Sequence, residues 1–118
     1  MRILVADDEP LIQKAIARCL PQHDVVCAGT GSEALELATN QEFSLVLCDL
    51  YMPHMDGPTL YNALLEHKPA LARTMIFMTG GASSHGMDSF IARTDQPILE
   101  KPFRPTELRL LIAQHQCR

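Results

Sequence analysis

Cysteine pairs are the first thing the chain lacks: Cys19, Cys27, Cys48 and Cys117 are present, but no two of them have CxxC spacing. A structural zinc site and a dithiol redox motif are therefore not expected. The four read as reduced packing residues, Cys48 lying inside an apolar run next to Asp49. The five histidines, His23, His54, His67, His85 and His115, have no metal-ligand spacing either. There is no run of Lys or Arg, and the formal charge is −4, so the basic footprint needed for direct nucleic-acid binding is missing. At the N-terminus only four apolar residues separate Arg2 from Asp7-Asp8. That is too few for a signal-peptide core or a membrane span, which makes the cytoplasm the expected location and membrane insertion unexpected. Repeats, low-complexity tracts and linkers are also absent. With 118 residues, 47% hydrophobic and 20% charged, residues 1–118 read as one globular domain. A domain of that size buries roughly two-thirds of the surface its unfolded chain exposes.

What is present is an alternation of short apolar runs with segments of helical period, the pattern of βα units laid into a parallel sheet. Strands are expected at 2–6, 25–28, 45–48, 74–78 and 98–100, with the third central because it is the most apolar. Five helices are expected between and after them. The first, 10–20, has Pro10 in its first turn and Leu11, Ile12, Ala15, Ile16 and Cys19 on one face. The second is capped by Thr30 or Ser32 and runs to Asn40, with Glu33 and Glu36, like Glu42 beyond it, on a solvated face. The third follows Asp56-Gly57-Pro58, carries Leu60, Leu64 and Leu65, and is stopped by Pro69. The fourth, 83–92, offers Met87, Phe90 and Ile91 but is interrupted by Gly86, which predicts a short helix. The last, 105–116, turns Leu108, Leu111 and Ile112 to the sheet.

Polar groups sit where these runs stop: Asp7-Asp8 after ILVA, Asp49 after SLVLC, Thr79 after MIFM and Lys101 after PIL. In a parallel sheet all of them project from the carboxyl edge, where open α/β folds place ligands. Carboxylates about 4 Å apart repel by about 4 kcal/mol at an effective dielectric near 20, so such a cluster takes up protons or binds a cation. Hard oxygen donors suit Mg²⁺, with Mn²⁺ as a substitute, and Mg²⁺ is a common companion of phosphate. Asp49 is then the candidate nucleophile for a phosphoryl group, Lys101 a second cation for the phosphoryl oxygens, and Thr79 a hydroxyl donor whose loop, Gly80-Gly81, is free to approach. Taken singly, each residue has a plainer reading: Asp8 as a helix cap, Asp49 as a turn residue, Thr79 as a loop hydroxyl, Lys101 as a solvated charge. All four plain readings together would require independent coincidences at one sheet edge. Met52, Met55, Met75 and Met78 read as packing residues.

The run Asp49-Leu50-Tyr51-Met52-Pro53-His54-Met55-Asp56-Gly57, with Asp7-Asp8 before it and Thr79 and Lys101-Pro102-Phe103 after it, strongly resembles the receiver domain of two-component response regulators, of the chemotaxis-regulator kind. The resemblance covers essentially the whole chain. It implies a flavodoxin-like doubly wound five-stranded parallel sheet of order 2-1-3-4-5. It implies Asp49 as the acceptor of a phosphoryl group from a histidine kinase or histidine phosphotransfer protein. Asp8, Asp49 and the Tyr51 carbonyl match the Mg²⁺ ligands, Asp7 the acid that reaches the metal through water, Lys101 the contact to the acyl phosphate, and Thr79 the switch hydroxyl. Pro102 matches a proline that follows a cis bond. The resemblance also admits a homodimer through the fourth helix, fifth strand and fifth helix. The MTGG and LEKPF segments resemble receivers attached to hybrid histidine kinases.

One departure stands out: receivers carry a Tyr or Phe three residues before the lysine, and here that position is Ile98. A non-switching interaction module of the same fold is the alternative that Ile98 raises. A Mg²⁺-dependent phosphohydrolase with an aspartyl-phosphate intermediate is a further one, but such enzymes of the haloacid dehalogenase type want an Asp two residues after the nucleophile, where Tyr51 stands. A flavin or nucleotide carrier would need a phosphate-cradling loop after the first strand, and Asp7-Asp8-Glu9 repels phosphate. The domain is thus expected to be a switch that promotes only its own phosphorylation and dephosphorylation, not a metabolic enzyme. Tyr51 and Gly81 flank the site and are candidates for controlling water access.

Overall fold

The structure is a computed structural model that describes residues 1–80 and 87–116, side chains being described to residue 114. Five parallel strands, β1 (Arg2–Ala6), β2 (Asp24–Ala28), β3 (Leu45–Asp49), β4 (Ile76–Thr79) and β5 (Ile98–Glu100), form one sheet in the order β2-β1-β3-β4-β5. β3 is central and buried along its whole length, as a strand covered on both faces must be. Helices α1 (Pro10–Cys19) and α6 (Pro105–Gln116) cover one face over Ile3, Val5, Leu45, Leu47, Ile76 and Met78. The other face, with Leu4, Val46, Cys48 and Phe77, is covered by α2 (Gly31–Asn40), α3 (Gly57–His67), α4 (Pro69–Ala72) and α5 (Asp88–Arg93). The expected flavodoxin-like doubly wound sheet of order 2-1-3-4-5 is the fold found.

Six helices, not five, are present among the described residues. The extra one is α4: Pro69 does follow the end of α3, but it also opens a single helical turn of its own. That turn displaces β4 from the expected 74–78. The Thr74 amide and hydroxyl both donate to the Leu71 carbonyl, and the Met75 amide donates to Ala72, so these two residues close α4 and the strand starts at Ile76. On α1 only part of the expected apolar stripe faces inward. Ile16 is buried, and Ile12 and Cys19 pack beside it, whereas Ala15 and Leu11 are exposed, Leu11 by 79%. α5 begins at Asp88, and the expected residues 83–86 lie outside the described residues, as do Gly81, His85 and Cys117.

Thr30 caps α2 as expected, and Asp56, expected only ahead of the third helix, caps α3. Thr30 accepts a hydrogen bond from the Glu33 amide, and Asp56 accepts one from the Thr59 amide. Glu33 is not merely solvated, because its carboxylate accepts the Gly29 amide at 2.7 Å and closes the β2–α2 turn. Glu42 lies 3.5 Å from the Lys68 ammonium.

Gly31, at the start of α2, carries the tightest backbone approach described. A Cβ there would lie 2.6 Å from the Met55 carbonyl oxygen, a backbone atom, and 2.8 Å from the Cβ and Cγ of the Met55 side chain. Gly31→Ala is therefore expected to cost about 1–3 kcal/mol and to push the loop between β3 and α3, which urea unfolding would measure. That loop is already strained at His54, whose φ is 73°, with the Met55 amide donating back to Pro53 at 2.8 Å in a three-residue turn.

Candidate functional site

The ladder that pairs the strands runs on past their ends and fixes the residues at the carboxyl edge. The Asp7 amide donates to Ala28 at 3.0 Å, Leu50 to Met78 at 2.8 Å, and Lys101 to Thr79 at 2.7 Å. Asp49 and Thr79 end β3 and β4, and Asp7 and Lys101 directly follow β1 and β5, so backbone bonds between neighbouring strands fix this edge. Asp7 is fully buried, Asp49 and Thr79 are nearly so, and Asp8 is exposed. The two adjacent acids thus differ in burial, Asp7 being enclosed at the end of the sheet and Asp8 open to solvent.

The Lys101 ammonium lies 2.9 Å from Asp7 Oδ2, 3.5 Å from Asp49 Oδ2 and 3.9 Å from Glu9 Oε1. Burial alone would lower the pKa of Lys101, but its hydrogen bond to Asp7 and the charges of Asp49, Asp7 and Glu9 outweigh this and raise it above the ordinary lysine value. Lys101 is a fixed positive charge at the floor of the crevice. Asp7 Oδ1 in turn accepts the Glu9 amide at 2.9 Å, and the Gln13 amide group donates to the Asp7 carbonyl at 2.7 Å and the Ala28 carbonyl at 3.4 Å. Glu9 is expected only as part of the acidic loop that repels phosphate, and Gln13 carries no expectation. Gln13 is a polar residue on an otherwise apolar-periodic helix, which is the signal that marks it.

Asp7, Asp8 and Asp49 each offer one carboxylate oxygen within 4.8 Å of the others. This is an acidic pocket of hard donors. The soft thiol beside it, Cys48, is buried, and burial together with the charges of Asp49, Asp7 and Asp56 pushes its pKa well up, so it stays protonated. Asp8 does not act as a helix cap: Glu9 is the N-cap of α1, with no side-chain cap bond. Tyr51 leaves its ring half-exposed, and its backbone hydrogen bond to Asp49 favours the charged carboxylate. The Lys101–Pro102 bond is cis. Ile98 is set apart from the cluster, half-buried on β5 in register with Phe77. Among the described residues nothing lies within 4 Å of a Cβ placed on Gly80.

The Asp49 carboxyl is raised from 3.8 to about 6, first by burial and then by the charge of Asp7, against the opposing pull of Lys101 and Tyr51. Between about pH 4 and pH 6 the folded chain therefore holds a proton that the unfolded chain has lost, so this group's contribution to stability falls as pH rises through that window and is level above it. Urea unfolding of the metal-free protein from pH 4 to 7 is expected to carry this decline, on the order of 2–3 kcal/mol, and Asp49→Asn to remove it.

The family model for the response regulator receiver domain matches residues 3–113. The transcriptional regulatory protein SrrA of Staphylococcus aureus is 33% identical over 113 residues, covering 93% of this chain and 45% of SrrA. The chain thus spans less than half the length of the curated relatives it matches. Among solved structures, the receiver domain of AraT, a response regulator from Geobacillus stearothermophilus, superposes with a TM-score of 0.79 at 34% identity, covering 98% of this chain and 92% of that one. The Vibrio cholerae chemotaxis protein CheY4 does so with a TM-score of 0.81 at 25% identity, covering 96% of each chain.

Proposed function

The chain belongs to the response regulator receiver family, signalling domains of two-component systems, and from that membership we propose that Asp49 is its phosphoacceptor. The donor is a phosphohistidine of a histidine kinase or histidine phosphotransfer protein. The observation that carries the proposal is the convergence of Asp7, Asp8 and Asp49 on one sheet edge, with Lys101 at 2.9 Å from Asp7 and 3.5 Å from Asp49. In the reaction an Asp49 carboxylate oxygen forms a bond to phosphorus as the phosphorus–nitrogen bond of the donor breaks, and the imidazole leaves with the bonding pair. Asp49 must be ionised to attack. Lys101 faces the oxygens that carry the transferred charge, and the Thr79 hydroxyl, nearly buried at the end of the neighbouring strand, donates to one of them.

Three carboxylate oxygens within 4.8 Å, two buried and one open to water, fit a divalent cation of the Mg²⁺ class, with Mn²⁺ as a substitute. Asp8, Asp49 and the Tyr51 carbonyl would hold it, with Asp7 acting through water. When bound, it supplies the charge that lets an anionic carboxylate meet an anionic phosphoryl group. We read residues 1–118 as one receiver unit in the cytoplasm. Its output lies on the face of α5, β5 and α6, where a second copy can dock. No described helix is long and apolar enough to cross a membrane.

The test is intact mass and peptide mapping after incubation with Mg²⁺ and acetyl phosphate. A single Mg²⁺-dependent phosphoryl adduct on the peptide containing Asp49 is expected. An adduct elsewhere, or none, would overturn the assignment.

A further inference from the structure

Three aromatic rings from three elements meet on the face of the sheet that carries α2 to α5. Phe77 of β4 and Phe90 of α5 lie edge to face, with centroids 5.1 Å apart and planes at 88°. Tyr61 of α3 packs against both, at 6.0 Å from Phe77 and 6.4 Å from Phe90. Phe77 is wholly buried, and its ring also reaches Gly57, the first residue of α3: a Cβ on Gly57 would lie 3.2 Å from Phe77 Cε1. The same Cβ would lie 3.0 Å from the Asp49 carbonyl oxygen and 3.0 Å from Leu50 Cα, and the Gly57 amide donates to the Leu50 carbonyl at 2.8 Å. Backbone at Asp49, backbone at Gly57, the ring of Phe77 and the ring of Phe90 thus form one continuous packed column.

We propose that the phosphorylation state of Asp49 is passed to α5 through this column of Gly57, Phe77 and Phe90. The inference rests on Asp49 being the phosphoacceptor and names how that site is read out. Close-packed interiors have little slack, so a displacement of the Asp49–Leu50 backbone cannot be absorbed at Gly57, where no side chain separates the two backbones. Phe77 takes up the shift because it fills the other side of Gly57. Phe90 is half-buried on a helix of six residues, so it is the member with room to change its packing. Ile98, in register with Phe77 and packed in the same cluster, supplies no ring to this route.

The experiment is amide hydrogen exchange on peptides covering 57–67 and 87–93, with and without Mg²⁺ and acetyl phosphate, the extent of phosphorylation being read from intact mass in the same samples. The variants are Phe77→Leu, Phe90→Leu and, as a neighbour outside the column, Ile98→Ala. In the wild type, phosphorylation is expected to change exchange in 87–93 several-fold. Phe90→Leu is expected to accept phosphate to the same extent and to lose most of that change, while Ile98→Ala keeps it. Phe90 is only half-buried, so its variant answers the question even if Phe77→Leu fails to fold. The proposal is overturned if phosphorylated Phe90→Leu responds as the wild type does, or if the phosphorylated wild type shows no response in 87–93. No adduct on wild-type Asp49 would remove the premise, and the inference with it.

Discussion

Asp49→Asn is expected to bring phosphoryl incorporation from acetyl phosphate down to background, a fall of more than about a hundredfold, because a carboxamide is too weak a nucleophile to form the acyl phosphate. The same substitution has an opposite effect on stability. In the metal-free protein Asp49 is a desolvated carboxylate that shares its crevice with Asp7. Removing its charge at pH 7 is expected to stabilise the fold by about 1–2 kcal/mol, less than the full cost of its raised pKa because a contact to Lys101 is lost with it. Added Mg²⁺ should narrow the gap, since a ligand that binds only the folded wild type stabilises it by mass action. Urea unfolding of both proteins at pH 7, with and without Mg²⁺, measures each part. A variant that is less stable than the wild type without metal would mean that Lys101 outweighs burial and Asp7 at this position.

Lys101→Met carries the second large effect. The Lys101 side chain is 13% exposed and that of Asp7 is fully buried, so the pair at 2.9 Å is shielded from solvent and salt. Removing one partner leaves Asp7 as a buried anion that, among the described residues, keeps the hydrogen bond from the Glu9 amide. Breaking a buried pair this way costs about 3–5 kcal/mol, and here the lower end is expected because the neighbouring Asp49 carboxyl, already raised to about 6, can take up a proton and relieve the excess negative charge. The loss should therefore shrink from pH 7.5 to pH 5 and shrink again with Mg²⁺, which replaces the missing positive charge. Urea unfolding under those three conditions separates an electrostatic defect from a packing one, which would be indifferent to both.

The strand ends were legible because each apolar run stops at a polar residue, and that one pattern located Asp7, Asp49, Thr79 and Lys101 together. What it missed has local causes. A β-branched Thr74 followed by Met75 reads as strand, but the backbone bonds of both residues close the turn that begins at Pro69. Helical period gives a stripe and not its width: Leu11 shares a face with Ile12 in the sequence, yet the neighbouring α6 covers only the Ile12, Ile16 and Cys19 side. The pairing of Asp7 with Lys101 spans 94 positions, and nothing local decides which of two adjacent acids turns inward. Gly57 marks only the start of the third helix in the sequence, and its closeness to Phe77 exists only once β4 lies beside β3.

Gln13 gives the crevice a further property. By donating to the carbonyls of Asp7 and Ala28, its side chain ties the second turn of α1 to the ends of β1 and β2, so the backbone that presents the acids is clamped by the fold itself. The conformational entropy of arranging those carboxylates is lost once, when the chain folds, and not again at each encounter with an ion. Were Mg²⁺ to enter such a preorganised pocket, its reluctance to shed water, and not a rearrangement of the β1–α1 backbone, would set the pace.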